Sequence, residues 1–237
     1  MTRVSVAMAV YNGGKYLNEQ MGSIINQLTS DDELIVSDNM STDDSREIIL
    51  SYFKLYPNIK VVECSEQGIV ANFENVINNC KGDYIFLADQ NDVWKENKIE
   101  AVLKEFEKTG ADLILHDCDY VDENLVPLNT TLFKDRKALP GFNRNLWKNA
   151  YQGCCMAFKK EMVPMICPIP RDVAMHDQWI GLLAEKAFKV DFMNESLILY
   201  RKHSGSNSSS HVGISKKLHY IKEMKKEIKS RVPEEEE

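Results

Sequence analysis

The chain has 237 residues, 43% of them hydrophobic, enough to bury a sizeable core in one large domain or two fused lobes. Its net charge is −7, which argues against a protein that tracks nucleic acid along its backbone. No stretch is apolar for the length of a membrane span, and the N-terminus lacks a signal-peptide core with its cleavage site, so the expected location is cytoplasmic.

In chain order, apolar runs at residues 4–10, 33–37, 59–63, 83–88 and 112–116 read as strands. Helical patterns at 15–28, 43–55, 70–79 and 96–108 lie between them. Strands separated by ten-odd residues of helical period predict βαβ units and a mostly parallel sheet. Ser41-Thr42-Asp43 supplies oxygen side chains where the second helix should start. After residue 120 the pattern breaks, and 121–150, with Pro127, Pro140 and Gly141, is expected to be loop. Residues 151–161 read as a strand entering a helix, 176–188 as a helix with an acidic start, and 196–203 as a strand. Six cysteines form no C-x-x-C pair, so buried thiols are expected and zinc is not.

Residues 213–233 differ. Ile214, Leu218, Ile221, Ile228 and Val232 share one helical face, and Lys216, Lys217, Lys222, Lys225, Lys226, Lys229 and Arg231 cover much of the rest. Such a helix either lies on an anionic membrane surface or packs on the domain with its basic face in water. The closing Glu234–Glu237 run opposes membrane contact.

Ligands of open α/β sheets bind beyond the carboxyl ends of the strands. Four polar clusters stand at such ends: Tyr11-Asn12-Gly13-Gly14 after Ala9-Val10, Ser37 to Ser41, Glu66-Gln67-Gly68, and Asp89-Gln90-Asn91-Asp92. Any one of them is ordinary turn chemistry; four together point to a site. Gly13-Gly14-Lys15 is not a P-loop, because Ala9 replaces the first glycine and Tyr16 the Ser/Thr. No G-x-G-x-x-G is present.

Five segments, VSVAMAVYNGGKYL, IVSDNMSTDDS, EQGIVANFENVI, GDYIFLADQNDVW and HDQWIGLLA, occur in an order that resembles the family-2 glycosyltransferases of GT-A fold. The resemblance spans roughly residues 2–205 and is strongest to bacterial rhamnosyl- and galactosyl-transferase-like members that build surface polysaccharides. It implies an α/β, Rossmann-like fold of nucleotide-diphospho-sugar transferases with a C-terminal amphipathic helix. Residues 1–210 would form the catalytic domain, 1–120 as the nucleotide-sugar half and 121–210 as the acceptor half, with 211–237 as basic helix and acidic tail.

The resemblance further implies a UDP- or dTDP-sugar donor held by Ala9, Tyr11, Asp38, Asn39, Gly68, Asp89 and Gln90. A Mn²⁺ or Mg²⁺ ion would be held by Asn91, Asp89 and His203. Asp177 would be the general base, with Trp179 and Gly153 beside the acceptor, a saccharide that is lipid-linked at the inner membrane face. Each role has a plainer counterpart: a strand-end aromatic for Tyr11, a helix-capping carboxylate for Asp177, core packing for Trp179. The chain departs from the family pattern at Asn39-Met40, where Asp-Gly is usual, and at Asn91, where Asp is usual. These departures raise a second reading, a nucleotide-sugar-binding module with weak or no catalysis. A nucleotidyltransferase would need an early Gly-rich basic phosphate loop, and none is visible.

Overall fold

A computed structural model describes residues 3–202 and 213–232. Strands β1 (Val4–Val10), β2 (Glu33–Asp38), β3 (Ile59–Glu63) and β4 (Tyr84–Asp89) alternate with helices α1 (Gly14–Ile25), α2 (Ser45–Leu55) and α3 (Ile69–Asn78). All seven residues of β1 and all six of β2 are buried, as befits central strands covered by helices on both faces. β1 pairs in parallel with β2 and β4, and β2 with β3.

The chain then forms β5 (Val93–Trp94), α4 (Lys98–Thr109) and β6 (Leu113–Val121). It continues through β7 (Pro127–Thr131), α5 (Leu132–Arg136), α6 (Phe142–Trp147), β8 (Met156–Lys159) and α7 (Val163–Ile166). Last come α8 (His176–Ala187), β9 (Val190–Arg201) and α9 (Ile214–Arg231). The sheet has nine strands in the order β3-β2-β1-β4-β8-β6-β9-β5, with β7 paired to β6. β8 is antiparallel to both β4 and β6, while β9 is parallel to β6. β1 to β4, β6 and β9 therefore run one way, and the sheet is mostly parallel.

β5 follows β4 after three residues, yet it pairs with Ile198 and Leu199 of β9 at the far end of the strand order. The sheet thus curls round the end of β4, and the rings of Phe86 and Trp94 stand 6.1 Å apart inside the curl. This brings the last residues of β9 against the Asp89–Asp92 turn.

Three expectations need correction. Residues 121–150 are not simply loop, since they hold β7, α5 and α6. β9 begins at Val190, six residues before the predicted strand, because its first half pairs with Leu113–His116 of β6. The packed face of α9 rests on Met224 and Ile228, both under 4% exposed, and Leu218 stays outside at 48%.

Candidate active site

The ends of β1 and β2 are locked to each other by side chain–backbone bonds. Gln90 holds the Tyr11 main chain at both groups: Oε1 accepts from its N–H at 2.7 Å and Nε2 donates to its carbonyl at 2.9 Å. The Asn12, Gly13 and Gly14 amides donate to Ser41, Ser45 and Asp43, respectively. Gly13-Gly14 is required by crowding: a Cβ on Gly14 would stand 1.6 Å from an Asp44 carboxylate oxygen, and one on Gly13 2.5 Å from the Gln90 side chain. The result leaves the Tyr11 ring 56% exposed on a fixed backbone, open to a planar partner.

Ala9 is next to last in β1, and buried Asp38 accepts from the Ser41 hydroxyl at 2.5 Å. Asn39 faces away from the rim. Its amide donates to the carbonyls of Cys64 (2.9 Å) and Glu66 (2.8 Å), and its oxygen accepts from Gly68 N–H (2.9 Å). So Asn39 and Gly68 come together, but as the pin that holds the β3–α3 loop. Met40 next to it has a left-handed φ of 62°.

At the end of β4, oxygens of Asp89 and Asp92 and the sulfur of Cys154 lie within 4.8 Å of one another. Asp92 is fully buried; one oxygen accepts from Arg201 N–H at 3.0 Å, and the other has no hydrogen-bond partner among the described residues. Burial pushes the Asp89 carboxyl well above its ordinary pKa, and the charges of Asp92 and Asp177 push it further. Burial raises Asp92 too, with Arg201 N–H, Cys154 and Lys98 acting against the rise. Two acids therefore converge at the end of β4. Two hard carboxylates, one with an oxygen that has no hydrogen-bond partner among the described residues, fit Mg²⁺ or Mn²⁺. Burial holds Cys154 protonated, so its sulfur adds little for such an ion. Asn91 lies in the same turn, with its carbonyl accepting from Arg201 Nε at 2.8 Å. His203 falls outside the described residues.

Asp177 is the second residue of α8, 6% exposed, with one oxygen accepting its neighbour's N–H from Gln178 at 2.6 Å. Its neighbour His176 stacks on Phe73 at 3.7 Å between ring centroids. Burial holds this imidazole neutral, down to about 4. Gly153 closes on this pair: a Cβ there would stand 2.8 Å from His176 Nε2 and 3.8 Å from the Asp177 Cβ. Trp179 is a different matter, and the expectation that it lines an acceptor pocket is corrected. It is fully buried, donates from Nε1 to Ile166 O at 3.0 Å, and carries the Arg231 guanidinium 4.7 Å above its ring.

Two residues that sequence reasoning missed organise the centre. Arg201 is 2% exposed and ties the Asn91 carbonyl, the Glu123 carbonyl and the Glu19 carboxylate together, with its guanidinium 4.5 Å over Tyr16. Lys98 is fully buried; Nζ donates to Cys154 O at 2.8 Å and lies 3.7 Å over Trp94. Burial lowers its pKa to about 8. Arg201 ends an apolar stretch and Lys98 opens a helix after Lys95-Glu96-Asn97, and nothing in either pattern separates a buried cation from a surface one.

A mostly parallel, curled sheet with a carboxylate turn and an acid at a helix start beyond its strand ends is the architecture of nucleotide-sugar-dependent transferases. The glycosyl transferase family 2 model matches residues 5–165, and the chain belongs to that family. TuaG of Bacillus subtilis, a glycosyltransferase named for teichuronic acid biosynthesis, is 28% identical over 92% of this chain and 86% of its own. The dTDP-rhamnosyl transferase RfbG of Shigella flexneri is 25% identical over 89% of this chain and 76% of its own. Among solved structures, S. aureus TarS 1-349 in complex with UDP-GlcNAc superposes with a TM-score of 0.74 at 16% identity, over 99% of this chain and 68% of that one. The mannosyltransferase PcManGT from Pyrobaculum calidifontis, in complex with GDP-Man and Mn²⁺, has a TM-score of 0.65 at 16% identity, over 86% of this chain and 58% of that one. The two structural likenesses establish the GT-A fold.

Proposed function

We propose that this glycosyltransferase moves a sugar from a UDP- or dTDP-sugar to a saccharide acceptor, lipid-linked, in bacterial surface polysaccharide synthesis. The observation that carries the reading is Asp177, buried at the N-terminus of α8 and packed against Gly153, whose neighbour Cys154 lies with Asp89 and Asp92. This supports reading Asp177 as a base beside the point where a donor's diphosphate would end.

The exposed Tyr11 ring stacks on the nucleobase and Asp38 accepts from its edge, with Ala9 and Gly68 forming the backbone walls. Gln90 acts on the donor through Tyr11, and Asn39 through the Gly68 loop, since both side chains are spent on protein groups. Asp89 and Asp92, with Asn91 beside them, would hold a divalent cation, and that ion supplies positive charge against the leaving diphosphate. Asp177 takes the proton of the acceptor hydroxyl. The freed oxygen forms its bond to the anomeric carbon from the face opposite the phosphate. The bond from that carbon to the diphosphate oxygen breaks, and the nucleoside diphosphate leaves with the electron pair. One displacement inverts the anomeric centre. Gly153 lets its backbone close on His176 and so sets where Asp177 would meet the acceptor.

Asp177→Asn keeps the size of the side chain and removes the base. The expected loss in transfer rate is about 10²–10⁴-fold, with donor affinity changed by less than about twofold. Nucleoside diphosphate release and isothermal titration read the two quantities. A variant that still transfers at the native rate removes Asp177 from the mechanism.

A further inference from the structure

Cys154 is set apart from the other cysteines by its surroundings. Its sulfur lies within 4.8 Å of a carboxylate oxygen of Asp89 and of Asp92, and among the described residues no other thiol is grouped with two acids in this way. Cys118 and Cys155 are equally buried but belong to no such group. The backbone holds the sulfur in place. Cys154 sits in the short turn Gly153–Cys155 that leads into β8. Its carbonyl accepts from buried Lys98 Nζ at 2.8 Å, and the next amide, Cys155 N–H, donates to Gln152 O at 2.9 Å.

A second observation points to a ligand at the same place. Asp92 is fully buried, and one of its oxygens has no hydrogen-bond partner among the described residues. A carboxylate oxygen so placed is costly unless something positive meets it. Asp89 is partly exposed and gives the cluster its opening to solvent.

Two oxygens and a sulfur suit different ions. The carboxylates alone suit Mg²⁺ and Mn²⁺, for which a protonated thiol is a poor third ligand. Zn²⁺ and Cd²⁺ are softer, bind thiolate strongly and displace the thiol proton outright. Bonds of about 2.0–2.3 Å to one ion draw the three atoms together through small side-chain movements. Charge closes as well. Two carboxylates and a thiolate carry −3, the ion +2, and Lys98, whose charge acts on Asp92, +1. Mn²⁺ on the two carboxylates leaves that sum positive, and a donor's diphosphate completes it.

We propose that Asp89, Asp92 and Cys154 form a site for thiophilic divalent ions of the Zn²⁺ and Cd²⁺ class, in which the thiolate takes the place of a diphosphate oxygen. The S–H bond gives way to a bond from sulfur to the ion, and the proton passes to solvent. The proposal rests on the reading of Asp89 and Asp92 as the donor's cation site and adds how that site is blocked. An ion held by three protein ligands binds without donor and excludes Mn²⁺.

The test uses the full chain without donor or acceptor, and Cd²⁺ as the probe, because cadmium–thiolate bonds absorb in the ultraviolet by charge transfer and cadmium–carboxylate bonds do not. One equivalent of Cd²⁺ should raise this band in the native chain. Cys154→Ser and Cys154→Ala should lose it, and Asp92→Asn should need at least about tenfold more Cd²⁺ to reach half of it, with circular dichroism unchanged in all three. Mn²⁺ should raise the Tm of the native chain and of Cys154→Ser alike, and one equivalent of Cd²⁺ should abolish that rise in the native chain alone. No band in the native chain, a full band in Cys154→Ser, or a band indifferent to Asp92→Asn overturns the proposal. A Mn²⁺ shift without a Cd²⁺ band overturns it too, and leaves the donor-cation reading standing. A Cd²⁺ band without any Mn²⁺ shift keeps the thiol site and overturns its role in blocking the donor's cation.

Discussion

Asn39 makes three hydrogen bonds, and two of them need an amide N–H₂. A carboxylate in its place, as in the family pattern, would set an acceptor against the carbonyls of Cys64 and Glu66. Asn39→Asp is therefore expected to cost about 2 kcal/mol, read as a lower urea midpoint with an unchanged slope. An unchanged midpoint would show that the pin carries no stability. The departure that suggested a weakened donor site is thus explained by loop anchoring, and it is no argument against catalysis. The residues legible in the sequence were those whose type and position coincide, as with Asp89, Asp177 and the Tyr11 rim. Arg201 and Lys98 were not, because a buried cation is defined by what surrounds it, and its partners come from residues 19, 91, 123 and 154.

α9 is an element whose type was clear from its sequence but whose orientation was not. The apolar set Leu218, Ile221, Ile228 and Val232 is wide enough to draw a face through, yet Met224 belongs to the buried side and Leu218 does not. The chosen face depends on the shape of α8 and α7 beneath it. Ile228→Ala removes a buried side chain and should weaken docking by about 2–4 kcal/mol. Limited proteolysis within 214–231 should then accelerate, while donor binding by the body is retained; a native cleavage rate would mean that the helix is held by other contacts. The strand β1 falls where its apolar run predicts, because continuous burial leaves no competing pattern; β3 also falls where predicted, although only Ile59 of it is buried. β7 was missed for the opposite reason: Pro127, Leu128 and Asn129 are exposed and show no alternation. The short α5 and α6, five and six residues long, are below the length at which a helical period can be seen.

Across the whole molecule, the acid cluster and the buried imidazoles act on stability in opposite directions. Asp89 and Asp92 have raised pKa values, so in the metal-free fold they retain protons that the unfolded chain has lost. Their contribution falls as pH rises from about 4 towards neutrality. His176 is held neutral down to about 4, so its contribution is lost as pH falls through the ordinary histidine range. The two trends overlap, and a melting curve of the native chain alone would hide both. Asp92→Asn keeps the oxygen that accepts Arg201 N–H and removes the charge. In EDTA its Tm advantage over the native chain should grow between pH 5 and pH 7.5, by about 1–3 °C, and Mn²⁺ should stabilise the native chain more than the variant. An advantage independent of pH would mean that Asp92 is not held in a raised state.

The placement of β8 also has a consequence for how the chain is made. Residues 156–159 insert between β4 and β6, and their bonds go to both neighbours. The first 155 residues therefore contain no partner for that edge of β4, although four parallel strands and their helices are already complete. A growing chain carries the carboxylate turn at the end of an open, apolar sheet edge until Met156 and its successors are synthesised. The carboxylate turn and the strand that seals its edge are thus separated in time as well as in sequence, and the late segment that closes the edge also brings Gly153 to Asp177.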